Sequence, residues 1–140
     1  MEVIHIRPKL MSLRATSFHG ENKVASSGKE PWNIQLTQTI EVGLAVAQTP
    51  VTTLQAVVKI DLLAHASKVD AKDQSAQFSG SYEAKFDYPP AATEEQIVPL
   101  FDQEAYQYVL VAQAFPLAMT HFRREMQSMG FDARALPLGI

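Results

Sequence analysis

Between Trp32 and Tyr88 the polarity of the chain flips at almost every residue, in three successive runs, and this period of two narrows the possible folds more than any other feature. In the first run Trp32, Ile34, Leu36, Ile40, Val42, Leu44 and Val46 share one parity, interrupted only by Gln38, while Asn33, Gln35, Thr37, Thr39 and Glu41 take the other. Successive side chains of an extended strand point to opposite faces, so this is a strand with one wet face. Gln48, Thr49 and Pro50 break it with a turn. The second run sets Leu54, Ala56, Val58, Ile60, Leu62, Ala64 and Ala66 against Gln55, Val57, Lys59, Asp61, Leu63 and His65. A charged turn follows at residues 68–73 (KVDAKD). The third run is the strictest: Ala76, Phe78, Gly80, Tyr82, Ala84, Phe86 and Tyr88 alternate with Gln77, Ser79, Ser81, Glu83, Lys85 and Asp87. Three strands with short connections form an antiparallel meander. The face of Phe and Tyr on the third is read mainly as core.

Upstream the pattern is weaker. Residues 11–18 (MSLRATSF) read as a short edge strand, and the polar residues 19–30 (HGENKVASSGKE) as a loop. Downstream, Pro89, Pro90, Ala91 and Ala92 cannot continue a ladder and mark a crossover. Thr93 and Gln96 have the spacing of a capping box, with Glu94 and Glu95 well placed for a helix start, so a helical turn is expected over 94–98, ended by Pro99. Asp102 is then expected to cap the next helix.

That helix, over residues 103–130, has apolar residues at Tyr108, Ala112, Phe115, Met119, Phe122, Met126 and Met129, three or four apart. If continuous it is roughly 40 Å long at 1.5 Å per residue, more than one small domain covers, so part of it should face another chain or a ligand. Pro116 predicts a kink or break near residues 112–115. Gly130 predicts a left-handed stop. Helices that follow a meander pack on one of its faces, which is an α+β layout in a single domain over residues 1–140.

Composition removes several functions. The 140 residues are 46% hydrophobic and 19% charged, too apolar for a disordered chain. A net charge of −3 with no basic patch argues against nucleic acid as a partner. There is no cysteine, hence no disulfide framework, thiolate zinc site or cysteine nucleophile. The start, MEVIHIRPKL, has no apolar core of a signal sequence, and no run approaches a membrane span, so a soluble cytoplasmic protein without membrane insertion is expected. His5, His19, His65 and His121 are scattered, with none four residues from another. Nucleophile elbows, phosphate loops and dinucleotide fingerprints are all absent, so we expect neither an enzyme nor a cofactor.

The order of several short motifs resembles the SecB export-chaperone family. They are Ser17 and Phe18 in SFHG, Glu41 and Val42 in IEVGLAVA, FSGSYEAKF over 78–86, Phe115, Pro116 and Ala118 in FDQEAYQYVLVAQAFPLAM, and Gly130, Phe131, Leu136 and Pro137 in GFDARALPL. The resemblance runs over nearly the whole chain from Leu13. It implies a four-stranded antiparallel sheet with a long C-terminal helix packed on one face, assembled as a dimer of dimers through those helices. It also implies a holdase that keeps unfolded polypeptides in apolar grooves without nucleotide or metal. His19 stands where the family has a glutamate, and residues 14–16 carry no acid, which weakens the case for docking to the SecA motor. A SecB-like role outside the main export pathway, including one in a toxin–antitoxin system or a phage, is an equal expectation.

On this reading the candidate client-groove residues are Phe86, Tyr88, Leu100, Phe101 and Leu136. The edge strand near Met11 and the crossover at 89–92 also border such a groove, because an extended client can add hydrogen bonds at an open edge. The candidate oligomer interface is Tyr108, Ala112, Phe115, Met119 and Phe122. Met119, Met126 and Met129 are expected to pack in the core or between subunits rather than to form an adaptable peptide surface. The alternative to a general holdase is a non-catalytic oligomeric module of the same fold, reserved for one specific partner.

Overall fold

The computed structural model describes residues 6–23, 32–47, 53–68 and 75–131. The three alternating runs are strands β2 (Trp32–Ala47), β3 (Thr53–Lys68) and β4 (Ser75–Asp87). They form the expected meander, and β1 (Lys9–Asn22) adds to its far side to give one antiparallel sheet of order β1-β4-β3-β2. Helices α1 (Glu94–Phe101) and α2 (Glu104–Ser128) follow. The expected turn at 48–50 lies outside the described residues, as does that at 68–73 except for Lys68, which is the last residue of β3 rather than part of a turn.

β1 is an edge strand, as expected, but longer than residues 11–18. Its ladder with β4 continues through Gly20↔Phe78 to Asn22↔Ala76, so His19, Gly20, Glu21 and Asn22 belong to the strand rather than to a loop. Gly20 explains why a polar stretch still packs. A Cβ there would sit 2.5 Å from Met129 Sδ and 2.8 Å from Phe78 Cδ1, so only a residue without one lets β1 pass under the end of α2. Register shifts at Met11 and Thr16 are bulges, which bend and twist an edge strand.

Register sorts the side chains. Leu13 faces Ala84, Ala84 faces Val58, and Val58 faces Val42, so all four strands present apolar residues to one side. From Leu54 to Ala66 and from Ala76 to Tyr88 these positions are almost fully buried. The opposite side is polar and wet, with Arg14 pairing Glu83 at 3.2 Å and Ser81 donating to Asp61 at 2.7 Å.

α2 covers the apolar side with Leu110, Val111, Ala114, Phe115, Ala118, Met119, Phe122 and Met126. Burying each large side chain stabilises the fold by about 1.5–3 kcal/mol. Phe18 meets Phe122 edge-on at 5.8 Å and Phe78 at 6.5 Å, and Phe131 closes the cluster against Phe78 at 5.5 Å. The buried arc is rotated from the expected stripe. It takes in Ala114 and Ala118, whose small size lets the helix lie close to the sheet, and leaves Tyr108, Ala112 and Met129 exposed.

Three local expectations are corrected. Pro116 does not break the helix. The carbonyl that loses its partner belongs to Ala112, an exposed residue, and the helix runs on past it to Ser128. Pro99 likewise lies inside α1, which runs on to Phe101 rather than ending at 98. Asp102 is the C-cap of α1, not the cap of α2; Gln103 takes that position without a side-chain bond to the helix. The capping box of Thr93 and Gln96 is present in both directions, and Gly130 closes α2 at φ +82°.

Candidate functional site

Asp102 and Gln103 join α1 to α2, and residues 6–8 lie against the same corner. Between them lies an open, mostly apolar groove of about 320 Å³. Its helical wall is Ala105, Tyr106, Val109, Leu110 and Gln113, residues three or four apart on one face of α2. Leu100 at the end of α1 and Gln103 close one side, and Ile6, Arg7 and Pro8 close the other. Leu117, 46% exposed, lies one turn beyond Gln113 on the same helix face and prolongs the apolar strip.

A chain of hydroxyl groups holds the 6–8 wall in place. Tyr106 Oη donates to the carbonyl of Ile6 at 3.1 Å. That uses its single hydrogen, so Tyr88 Oη, 2.5 Å away, is the donor to Tyr106. Burial pushes the phenol of Tyr88 well above its ordinary range, and its donated bond to Tyr106 adds to the rise. Burial also raises Tyr106, against the opposing effects of the bond from Tyr88 and the charge of Arg7. Both phenols therefore remain neutral donors at ordinary pH. Phe101 packs edge-on against Tyr106 at 5.6 Å, and the side chain of Gln107 donates to the Phe101 carbonyl, fixing the corner between the helices.

The sequence-derived candidates fall in different places. Leu100 lines the groove, and Phe101 supports it through Tyr106. Phe86 is fully buried, and Tyr88, at 3% exposure, acts from behind the wall, so neither offers an accessible surface. The reason is the parity that made β4 legible: its whole even face lies under the helices. Leu136 lies outside the described residues. Of the interface candidates, Tyr108 and Ala112 are exposed, whereas Phe115, Met119 and Phe122 are at 0% and already committed to the sheet. They are unavailable to a second chain. Residues 6–8 and the Val109 to Gln113 wall were missed, because a short segment without periodicity gives no sign of what it packs on.

A second polar chain leaves the core on the far part of α2. Tyr82 Oη is 2.9 Å from His121 Nδ1, and His121 Nε2 is 3.6 Å from Glu125 Oε1. Burial, then the Glu125 carboxylate, raise the Tyr82 phenol. Among the described residues no three His, Cys, Asp or Glu side chains gather to hold a metal, and no helix is long and apolar enough to cross a membrane.

No family model and no curated protein matches this sequence. Among solved structures the chain is similar to the SecB-like chaperone Rv1957 of Mycobacterium tuberculosis, solved in complex with a ChAD peptide from the HigA1 antitoxin Rv1956. The TM-score is 0.55 at 18% identity, over 94% of this chain and 90% of that one. A four-stranded antiparallel sheet with its long C-terminal helix on one face, matched over nearly the full length of both chains, means that this chain has the SecB-like fold.

Proposed function

We propose that the chain is a non-catalytic polypeptide-binding chaperone, a holdase that keeps an extended segment of a non-native protein in the groove beside α2. The observation that carries this is the groove itself: an open cleft lined by Ile6, Pro8, Leu100, Val109 and Leu110 on a SecB-like fold. Convergent apolar side chains around a few polar groups are what a bound segment needs. Gln103 and Gln113 carry amides that match the N–H and C=O groups of an extended backbone. The likeness to a chaperone solved with an antitoxin peptide supports a peptide as the occupant.

The open arc of α2 supports a second element of the reading. Tyr108 is 54% exposed, and Ala112 and Pro116 continue its edge of that arc, on the side away from Gln113 and Leu117. An apolar face of this kind, left uncovered by its own sheet, fits a subunit interface, and we assign it to the contact that builds a dimer of dimers. Four 15.5 kDa chains make an assembly of roughly 60 kDa.

Light scattering coupled to size exclusion, with and without a permanently unfolded client, tests both elements. The expected result is a species of that mass that co-elutes with the client and slows its aggregation at stoichiometric ratio. A protein that leaves aggregation unchanged sinks the holdase. The antitoxin peptide on the similar chaperone also favours a narrower reading, a module reserved for one partner in a toxin–antitoxin setting. Binding to many unrelated unfolded peptides with similar affinity would remove it.

A further inference from the structure

Resting on the groove as a polypeptide site, we propose that it selects apolar segments that carry a carboxylate, through Arg7. Among the described residues that line the groove, Arg7 has the only formal charge. The two acids closest in sequence to the corner, Asp102 and Glu104, are exposed and do not line it. Arg7 makes no ion pair with any described residue, whereas Arg14, Lys23 and Lys85 each have a carboxylate within 4 Å. Among the described residues the groove thus presents a cation with no acid to meet it.

The placement of Arg7 is constrained on both sides. The carbonyl of Ile6 before it accepts the bond from Tyr106, and Pro8 after it is buried with a ring-fixed φ. A guanidinium on a pinned backbone loses less freedom when it engages a partner. Its planar fork matches the two oxygens of a carboxylate, as an aspartate or glutamate side chain supplies. The same geometry repels a lysine or arginine at that point of the segment, so selection works by attraction and by exclusion. The net charge of −3 acts in the opposite sense at long range. At about 0.15 M salt the screening length is about 8 Å, and the charge inside the groove dominates.

The test uses three fluorescent twelve-residue peptides, acetylated and amidated, identical except for one central position that is Glu, Gln or Lys among apolar residues. Anisotropy titrations at physiological salt are expected to rank them Glu over Gln over Lys, with about fivefold between Glu and Lys, the upper range for a partly exposed ion pair. Arg7→Gln is expected to collapse the ranking and Arg7→Glu to invert it. Because Arg7 is exposed, unchanged thermal unfolding serves as the folding control. Equal binding of the three peptides to the natural protein, or a ranking that survives Arg7→Glu, overturns the selection and leaves the groove reading standing. Failure of all three to bind overturns the groove reading and this inference with it.

Discussion

Two arcs of α2 carry similar side chains and end in different surroundings. On the sheet side Phe115, Met119, Phe122 and Met126 are fully buried; on the open side Tyr108 and Leu117 remain about half exposed. Helical spacing treats these residues alike. What separates them is where small residues let helix and sheet come close: Ala114 and Ala118 are fully buried on the helix, and Gly80 in β4 leaves room for Phe122. The sheet-facing arc therefore carries folding energy, and the open arc carries surface available to a partner.

The strongest way to break this comparison is to place the same charge on each arc. Phe122→Glu is expected to remove at least the ~3–5 kcal/mol that deleting a buried phenylalanine costs, and to leave an uncompensated carboxylate in the core. In a protein of ordinary stability, about 5–15 kcal/mol, that abolishes or nearly abolishes the fold in urea titrations followed by circular dichroism. A folded Phe122→Glu protein of smaller mass would mean that Phe122 belongs to an interface after all. Tyr108→Glu should instead keep the fold and lower the mass of the assembly.

Gly80→Ala sharpens the comparison at its contact line. A Cβ at this position would lie 2.9 Å from Tyr82 Cε2 and 3.0 Å from Phe122 Cδ1, so α2 or the Tyr82 ring must shift. The expected cost is about 1–3 kcal/mol by the same titration. The control is Gly43→Ala, where nothing lies within 4 Å and the change should be near zero.

A smaller effect follows from the buried phenols. Tyr82, Tyr88 and Tyr106 all have pKa values raised from 10.0 in the folded chain, chiefly by burial. Above about pH 10 the unfolded chain loses those protons while the folded one holds them. The stability they confer is intact below that value and falls as pH rises toward the raised values. Unfolding free energy should thus show no phenol-linked slope between pH 7 and 9, then decline above 10, less steeply in Tyr88→Phe. A decline in the natural protein that Tyr88→Phe leaves unchanged would place the titration elsewhere. The smallest expected change is Leu117→Ser, within about 0.5 kcal/mol in stability, read only in the mass of the assembly or in client affinity.

The strands were legible because a sheet with one wet face imposes a period of two, which β4 obeys throughout and β2 and β3 with few exceptions, such as Gln38 and Leu63. The capping box at Thr93 and the left-handed stop at Gly130 were legible because each is a local rule, satisfied within a few residues. The prolines were poor guides to helix ends, because a missing N–H removes one bond without ending the ladder, and α1 and α2 run past Pro99 and Pro116. The groove was legible only at Leu100, with Phe101 in support. Phe86 and Tyr88, also expected to line it, are buried in the core.

By itself, then, the sequence determined the strand count and pairing of the meander and the helix that follows, which rest on period and caps. Tertiary structure alone decided which arc of α2 meets the sheet, that Phe115, Met119 and Phe122 are core, and that residues 6–8 fold back on Tyr106 to form the wall that carries Arg7. Those outcomes depend on contacts about 100 residues apart, such as Tyr106 to the Ile6 carbonyl, and no local pattern encodes them. A side chain's surroundings are set by the volume its neighbours leave, and that volume exists only once the sheet and helix have come together.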